Sequence, residues 1–138
     1  MPHGAYRQVV LMGEVAVKFP RLRYLGKGMR CNRWEREMWR VWRPVFGWNS
    51  LCPVLFADPL GFVVVMPRAE QPVTRDEVDG LPDYYPGTTS ETKVEDHGRI
   101  DTGVVAVDYG LPDRDLVDDR RAYYVKMAKD HGQAHCDV

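Results

Sequence analysis

The first 66 residues contain two pairs of short apolar runs, and each pair surrounds a turn. The runs YRQVVL and EVAVKFP lie on either side of Met12-Gly13, and two later runs, Val54 to Ala57 and Phe62 to Met66, lie on either side of the sequence DPLG. Short β-rich runs around glycine-containing turns are typical of β-hairpins. The chain is therefore predicted to build a small antiparallel sheet from two hairpins.

A single amphipathic helix is predicted between the hairpins, from about Met29 to Arg43. Its apolar residues recur at steps of three and four, which is the period of one helix face; they are Cys31, Trp34, Met38 and Trp42. Pro44 is expected to end this helix.

The second half of the chain begins with an irregular connection over residues 67 to 90, with a turn of helix at Thr74 to Val78. The run GVVAVDYG then predicts a buried strand, and a second helix is expected from about Arg114 to Lys129. The apolar residues of this second helix are Leu116, Val117, Tyr124 and Met127. The order of elements predicts an α+β fold with a small antiparallel sheet and one packed helix.

The length of 138 residues fits one domain that can bury a core without disulfides. The three cysteines, Cys31, Cys52 and Cys136, are an odd number without metal-site spacing, which favours reduced thiols and a cytoplasmic location. No apolar run approaches the roughly 18 residues that span a bilayer, so no membrane partner is expected.

The net charge of -1 conceals an asymmetry between the two halves. Residues 1 to 50 carry ten basic and three acidic side chains, whereas residues 51 to 138 carry nine basic and seventeen acidic ones. The halves should attract each other, and the basic half is also a candidate anion-binding surface.

Three charged residues stand out because of where they occur. Lys18 lies in the middle of a predicted strand, Glu35 lies among apolar residues of the predicted helix, and Asp108 closes a later strand. Phosphate chemistry requires a cation on phosphate oxygens, an acid that orients this cation, and carboxylates that hold a metal.

The sequence here resembles the protein kinase family, by motifs and their order. The strand VAVK resembles the family's Val-Ala-Ile-Lys strand, which makes Lys18 the implied phosphate-contacting lysine. Glu35 is its implied partner, with Glu37 as the second choice. The two strands of the second hairpin resemble those that lead to the hinge between the kinase lobes, and Met66 lies near the gatekeeper position.

The segment ETKVED resembles the kinase catalytic loop, Asp-Leu-Lys-Pro-Glu-Asn. This resemblance implies Glu91 in place of the catalytic base, Lys93 at its usual position, and Asp96 in place of the metal-binding asparagine. The later Asp-Tyr-Gly resembles Asp-Phe-Gly and implies that Asp108 binds magnesium. The implied cofactor is ATP with magnesium. The implied domain covers residues 1–129, with a sheet-and-helix lobe (1–66) and a reduced second lobe (67–129). Residues 130–138 are expected to form a disordered tail.

Several kinase parts are missing from this sequence. Only seventeen residues precede Lys18, too few for a glycine-rich hairpin, and twenty-four residues lie between Met66 and Glu91, too few for a hinge and two helices. The side chain of Glu91 is also one methylene longer than that of aspartate. A catalytic group that is displaced by about 1 Å can lower the reaction rate about a hundredfold. The sequence therefore predicts a degenerate kinase-like module that acts mainly through protein binding, as an inhibitor, adaptor or regulator, with weak or no nucleotide binding. The alternative is an active minimal kinase that transfers phosphate from ATP with a divalent metal.

Three other groups of residues have both a structural and a functional interpretation. An arginine stripe on the predicted helix could bind nucleic acid, but a solvated face or pairing with the acidic half is favoured; it consists of Arg33, Arg36, Arg40 and Arg43. The tryptophans Trp34, Trp39, Trp42 and Trp48 could stack on bases, but helical spacing favours a core role for three of them. A metal site at His131, His135 and Cys136 lacks a fourth ligand and is not favoured.

Overall fold

Four strands form the first sheet of the molecule. The computed structural model describes residues 6–46, 51–79 and 94–130. Strands β1 (Arg7–Met12) and β2 (Val15–Pro20) form the predicted hairpin around Gly13, whose φ of 61° lies in the left-handed region that glycine adopts readily. Strands β3 (Phe56–Ala57) and β4 (Val64–Pro67) form the second hairpin. The strands lie antiparallel in the order β1-β2-β4-β3, which confirms the predicted α+β class with a small antiparallel sheet.

The helix between the hairpins is longer than predicted. Helix α1 (Leu25–Glu37) begins four residues before Met29 and continues through a π-helical segment (Met38–Trp42) into α2 (Arg43–Phe46). The prediction that Pro44 ends the helix is wrong. Pro44 is the second residue of α2 and lies inside the continuous helix, directly after the π-helical segment, where the regular hydrogen-bond pattern of the α-helix is already interrupted.

The predicted apolar stripe of this helix forms the centre of the core. Cys31, Trp34, Met38 and Trp42 are all buried. Trp34, Met38 and Trp42 pack in one cluster with Val64 and Met66 of β4 and with Tyr124 of helix α4 (Arg114–Asp130). The ring of Tyr124 stacks on Trp34 at a centroid distance of 6.3 Å. Of the apolar residues named for the second helix, Val117 and Tyr124 are buried, whereas Leu116 is 47% exposed. Position 116 therefore faces away from the core.

Two further strands form a second, separate sheet. Strand β6 (Gly103–Ala106) was predicted, but its antiparallel partner β5 (His97–Ile100) was not. The short helix α3 (Arg75–Asp79) matches the expected turn of helix to within one residue.

Backbone hydrogen bonds attach the β5–β6 hairpin to the rest of the chain. Glu70, just after β4, exchanges two of these bonds with Arg99 of β5, with N···O distances of 2.8 and 2.9 Å. The N–H of Cys52 donates to the carbonyl oxygen of Ala106 at 2.8 Å. The hairpin is thereby fixed beside the first sheet, and a cleft remains between them. No helix in the described part of the chain has the length and apolar character needed to cross a bilayer.

Candidate functional site

Lys18 and Glu35 form a buried ion pair. Lys18 Nζ lies 3.1 Å from both carboxylate oxygens of Glu35, and the two residues are only 5% and 0% exposed. Nζ also donates a hydrogen bond to the carbonyl oxygen of Val107, just after β6. The ammonium group of Lys18 is therefore held by one carboxylate and one backbone carbonyl oxygen.

Arg7 of β1 is the second cation at this site. Its guanidinium binds Glu35 in a bidentate manner, with distances of 2.7 Å to Oε1 and 3.0 Å to Oε2. Nη2 also lies 2.5 Å from Oδ1 of Asp108, and Nη1 donates to Oδ1 of Asn32 at 3.0 Å. Arg7, Lys18, Glu35 and Asp108 therefore form a network of two cations and two anions, which we call the buried tetrad.

The electrostatics of the buried tetrad keep Glu35 ionised. Burial alone would raise the pKa of Glu35, but the charges of Arg7 and Lys18 and the hydrogen bond from the N–H of Tyr109 lower it to about 2. Burial also opposes the charge of Arg7, and the carboxylates of Glu35 and Asp108 outweigh it and raise the pKa of this guanidinium. Each charge is thus buried only together with its opposite.

Asp108 and Asp96 lie at the open side of the buried tetrad. Asp108 follows β6, and its side chain is 40% exposed. Asp96 ends a 3₁₀ turn (Val94–Asp96), and its carbonyl oxygen accepts hydrogen bonds from the N–H groups of Val107 and Asp108 at 2.8 and 3.2 Å. These backbone bonds bring together the two segments that resemble the kinase metal-binding positions.

A cleft of about 1420 Å³ opens between the first sheet and the β5–β6 hairpin. Val9, Ala16 and Met66 contribute an apolar wall from the sheet, and Arg7 and Lys18 also line the cleft. Asp96 and Asp108 line the opposite side of the cleft. The cleft therefore combines an apolar wall with a charged end, an arrangement that can hold a ligand with both apolar and charged groups.

The structure brings together most of the residues that the kinase resemblance selected. Lys18, Met66, Asp96 and Asp108 line one cleft, and Glu35 lies behind Lys18 as its partner. Glu37, the second choice, instead binds Arg121 at 2.7 Å and accepts a hydrogen bond from Trp42 Nε1 at 2.9 Å. The implied catalytic residues Glu91 and Lys93 lie outside the described residues, as does Trp48 and the group His131, His135 and Cys136.

The arginine stripe has few acidic neighbours. Arg33 donates to the carbonyl oxygen of Leu60 at 3.0 Å, and the guanidinium of Arg43 lies 3.9 Å from the ring centroid of Trp39. Arg36 and Arg40 form no ion pair with any acidic residue that the structure describes. Pairing of the stripe with the acidic half is therefore not observed for these two arginines. Trp34 and Trp42 are buried in the core, as the favoured interpretation predicted.

Sequence reasoning missed Arg7, although the sequence contains a signal for it. The observed turn is Gly13-Glu14, one residue later than the predicted Met12-Gly13, and it pairs Lys18 with Val9. The predicted turn would have paired Lys18 with Arg7, so both registers place Arg7 and Lys18 on one face. Residues directly opposite each other in an antiparallel pair share a face, and so do residues two apart in one strand. Arg7 must therefore lie on the same face as Lys18, close enough to reach the same carboxylate.

Comparisons with known proteins found no relatives. No protein-family model matches the chain, and neither the curated proteins nor the solved structures contain a significant match.

Proposed function

We propose that the chain is a degenerate kinase-like module that binds another protein and does not transfer phosphate. The observation that carries this proposal is the position of Arg7, whose guanidinium joins Glu35 to Asp108. In an active kinase-like site, Asp108 would hold magnesium. Here a permanent cation already neutralises that carboxylate.

The residues present do not fit a bound magnesium ion. A guanidinium nitrogen 2.5 Å from Asp108 Oδ1 occupies a lone pair of this oxygen, and its charge repels a divalent cation. Magnesium also requires near-octahedral oxygen ligands. Among the described residues, no group of three or more histidine, cysteine, aspartate or glutamate side chains could hold a metal ion.

The ammonium group of Lys18 is likewise bound by other groups of the protein. It binds Glu35 and the carbonyl oxygen of Val107, and the side chain is 6% exposed. A phosphate at Nζ would compete with these partners, and a hydrogen bond lost in a buried site costs about 1–3 kcal/mol. This cost supports weak or absent nucleotide binding.

Exposed apolar residues support a protein partner. Four large side chains of the β3–β4 hairpin are between 45% and 62% exposed, namely Leu55, Phe56, Leu60 and Phe62. β3 is also an edge strand of the first sheet. Apolar patches and sheet edges are common sites of protein association. A role as inhibitor, adaptor or regulator in the cytoplasm agrees with the two free, buried thiols of Cys31 and Cys52.

The alternative function is an active minimal kinase that uses ATP with a divalent metal. One observation favours it: the apolar wall formed by Val9, Ala16 and Met66 leads to Lys18 and its partner Glu35. A kinase nucleotide site has the same order of an apolar base pocket and a lysine–glutamate pair.

A transfer assay separates the two functions. The full chain is incubated with labelled ATP, magnesium or manganese, and generic protein substrates, beside an Asp108→Asn variant. We expect no transfer above the level of this variant, because nothing among the described residues positions a metal between phosphates. Asp101→Asn, which removes an exposed carboxylate of the same cleft, serves as a matched charge control. Robust transfer in the wild type and in Asp101→Asn, lost in Asp108→Asn, would establish the minimal kinase and overturn the proposal.

A further inference from the structure

The charges that line the cleft have an excess of one sign. Counted over the described residues, its lining contains four basic side chains, Arg7, Lys18, Arg68 and Arg99. It contains six acidic ones, Glu14, Glu70, Glu95, Asp96, Asp101 and Asp108. Within the buried tetrad Arg7 and Lys18 are balanced by Glu35 and Asp108. Arg99 binds Glu77 at 2.5 Å and also lies 3.6 Å from Glu70, which leaves Glu14, Glu95, Asp96 and Asp101 against Arg68. The cleft is therefore acidic overall, and a polyanion such as a nucleotide does not complement it.

Three of these carboxylates are exposed and form no ion pair with any residue that the structure describes: Glu14, Glu95 and Asp101. They stand on opposite sides of the cleft. Glu14 lies in the β1–β2 turn, whereas Glu95 lies in the 3₁₀ turn and Asp101 lies in the turn between β5 and β6. A positively charged group that entered the cleft would meet carboxylates from both walls.

The floor of the same cleft is apolar. Val9, Leu11 and Ala16 share one face of the β1–β2 hairpin, and Leu11 is 40% exposed. A ligand that is only charged would leave this wall in contact with water. The volume of about 1420 Å³ also exceeds the roughly 300–1,000 Å³ typical of small-molecule pockets, which favours a chain segment over a small molecule.

We infer that this cleft binds a segment of the partner protein in which basic side chains flank an apolar one. The apolar side chain packs on Leu11 and Val9, and the basic groups face Glu14, Glu95 and Asp101. The inference rests on the proposed function, because it names the chemistry of the partner that the module would bind.

Fluorescence anisotropy with a defined peptide tests the inference. The probe is a fluorescein-labelled Gly-Arg-Leu-Arg-Gly peptide, and the comparison peptides replace both arginines by glutamate or the leucine by serine. We expect the probe to bind with a Kd below about 1 mM. The glutamate peptide should not bind, and the serine peptide should bind at least about threefold more weakly because it loses the apolar contact. Raising the NaCl concentration from about 0.05 M to about 0.5 M should weaken binding of the probe, since salt screens exposed charges.

Matched variants of the protein locate the binding site. A triple variant, Glu14→Gln, Glu95→Gln and Asp101→Asn, should bind the probe at least about fivefold more weakly. The control triple variant removes three exposed carboxylates outside the cleft, Asp76→Asn, Asp115→Asn and Asp119→Asn, and should bind as the wild type does. Leu11→Ser should weaken binding, whereas Leu22→Ser, at a position that is 91% exposed and outside the cleft, should not.

The inference is overturned if the probe fails to bind, if the glutamate peptide binds equally well, or if both triple variants lose affinity alike. The peptide experiment measures binding and does not depend on whether the protein transfers phosphate. The proposal of an inactive module would therefore survive a failed peptide experiment, and the two failures are distinguishable.

Discussion

The carboxylate of Glu35 accepts hydrogen bonds from three parts of the chain that are far apart in sequence. Arg7 belongs to β1, Lys18 to β2, and the N–H of Tyr109 follows β6. A buried charge without such partners would cost several kcal/mol, so each contact depends on correct placement of its element. At the residue scale, the buried tetrad therefore links the first sheet, helix α1 and the segment after β6.

The first residue-scale prediction concerns pH. The pKa of Glu35 falls from 4.5 to about 2 on folding. A lowered pKa stabilises the folded state above the unfolded-state value, and this contribution is lost as the pH falls from about 4.5 towards 2. It amounts to on the order of 3 kcal/mol. Urea denaturation at pH values between 7 and 2.5 should therefore show a stability difference between wild type and Glu35→Gln that shrinks towards acid. A difference that stays constant over this range would contradict the assigned role of Glu35.

A second residue-scale prediction concerns Arg7. Arg7→Met leaves Asp108 without the guanidinium and Glu35 with one cation instead of two. Removing one partner of a buried ionic network costs about 3–5 kcal/mol, so the urea midpoint should fall sharply. The urea midpoint of Arg7→Lys should lie between those of the wild type and Arg7→Met, because lysine keeps the charge but loses the bidentate geometry. Arg68→Met, at an exposed position of the same cleft, should change stability by only about 0–1 kcal/mol. Equal losses in Arg7→Met and Arg68→Met would mean that the buried tetrad does not stabilise the fold.

At the element scale, the first two hairpins and the helix between them could be predicted from the sequence, because each has a strong local signal. Gly13 fixed the first turn, and the spacing of Trp34, Met38 and Trp42 predicted the helix and its buried face. Strand β5 was missed because its sequence, His-Gly-Arg-Ile, lacks an apolar period. The strand forms because its backbone pairs with β6 and with Glu70, a tertiary context that local patterns do not contain.

The β3–β4 turn provides the element-scale prediction. Gly61 has a φ of 96°, and a Cβ atom at this position would lie 2.3 Å from the carbonyl oxygen of Met29 in α1. Gly61→Ala should therefore destabilise the protein by more than about 1 kcal/mol, because both the backbone conformation and the hairpin–helix contact are disturbed. Gly26→Ala, in the first turn of α1 with no neighbour within 4 Å, is the matched control and should be neutral or stabilising by up to about 1 kcal/mol. Thermal unfolding followed by circular dichroism measures both. A Gly61→Ala variant as stable as the wild type would show that the turn can move away from α1.

At the scale of the whole molecule, the charge asymmetry between the two halves corresponds to contacts that cross the chain. Arg7 binds Asp108 at 2.5 Å, and Lys27 lies 3.8 Å from Asp113, so basic residues of the first half meet acidic residues of the second. Glu37 and Arg121 form an ion pair at 2.7 Å in which the acidic residue belongs to the first half and the basic residue to the second. Composition predicted the attraction, but it could not identify the partners. Those depend on how β6 and α4 pack against α1, and long-range packing is not encoded in local periodicity.

The acidity of the cleft leads to the last prediction, on nucleotide binding by the intact protein. A ligand that binds only the folded state stabilises it by RT ln(1 + [L]/Kd). With about 5 mM ATP and magnesium, a Kd of about 10 mM or weaker gives only about 0.2 kcal/mol, equivalent to about 1 °C in Tm for a chain of this size. We expect a shift no larger than this, because six acidic side chains outnumber four basic ones among the described residues that line the cleft. In addition, Lys18 is already held by Glu35 and the carbonyl oxygen of Val107. Magnesium chloride with NaCl at equal ionic strength is the control for salt effects. A Kd of about 50 μM would instead stabilise the protein by about 2.7 kcal/mol and raise the Tm by about 10 °C. A rise of that size with ATP, absent with salt alone, would mean that Lys18 exchanges its protein contacts for phosphate and that the cleft is a nucleotide site.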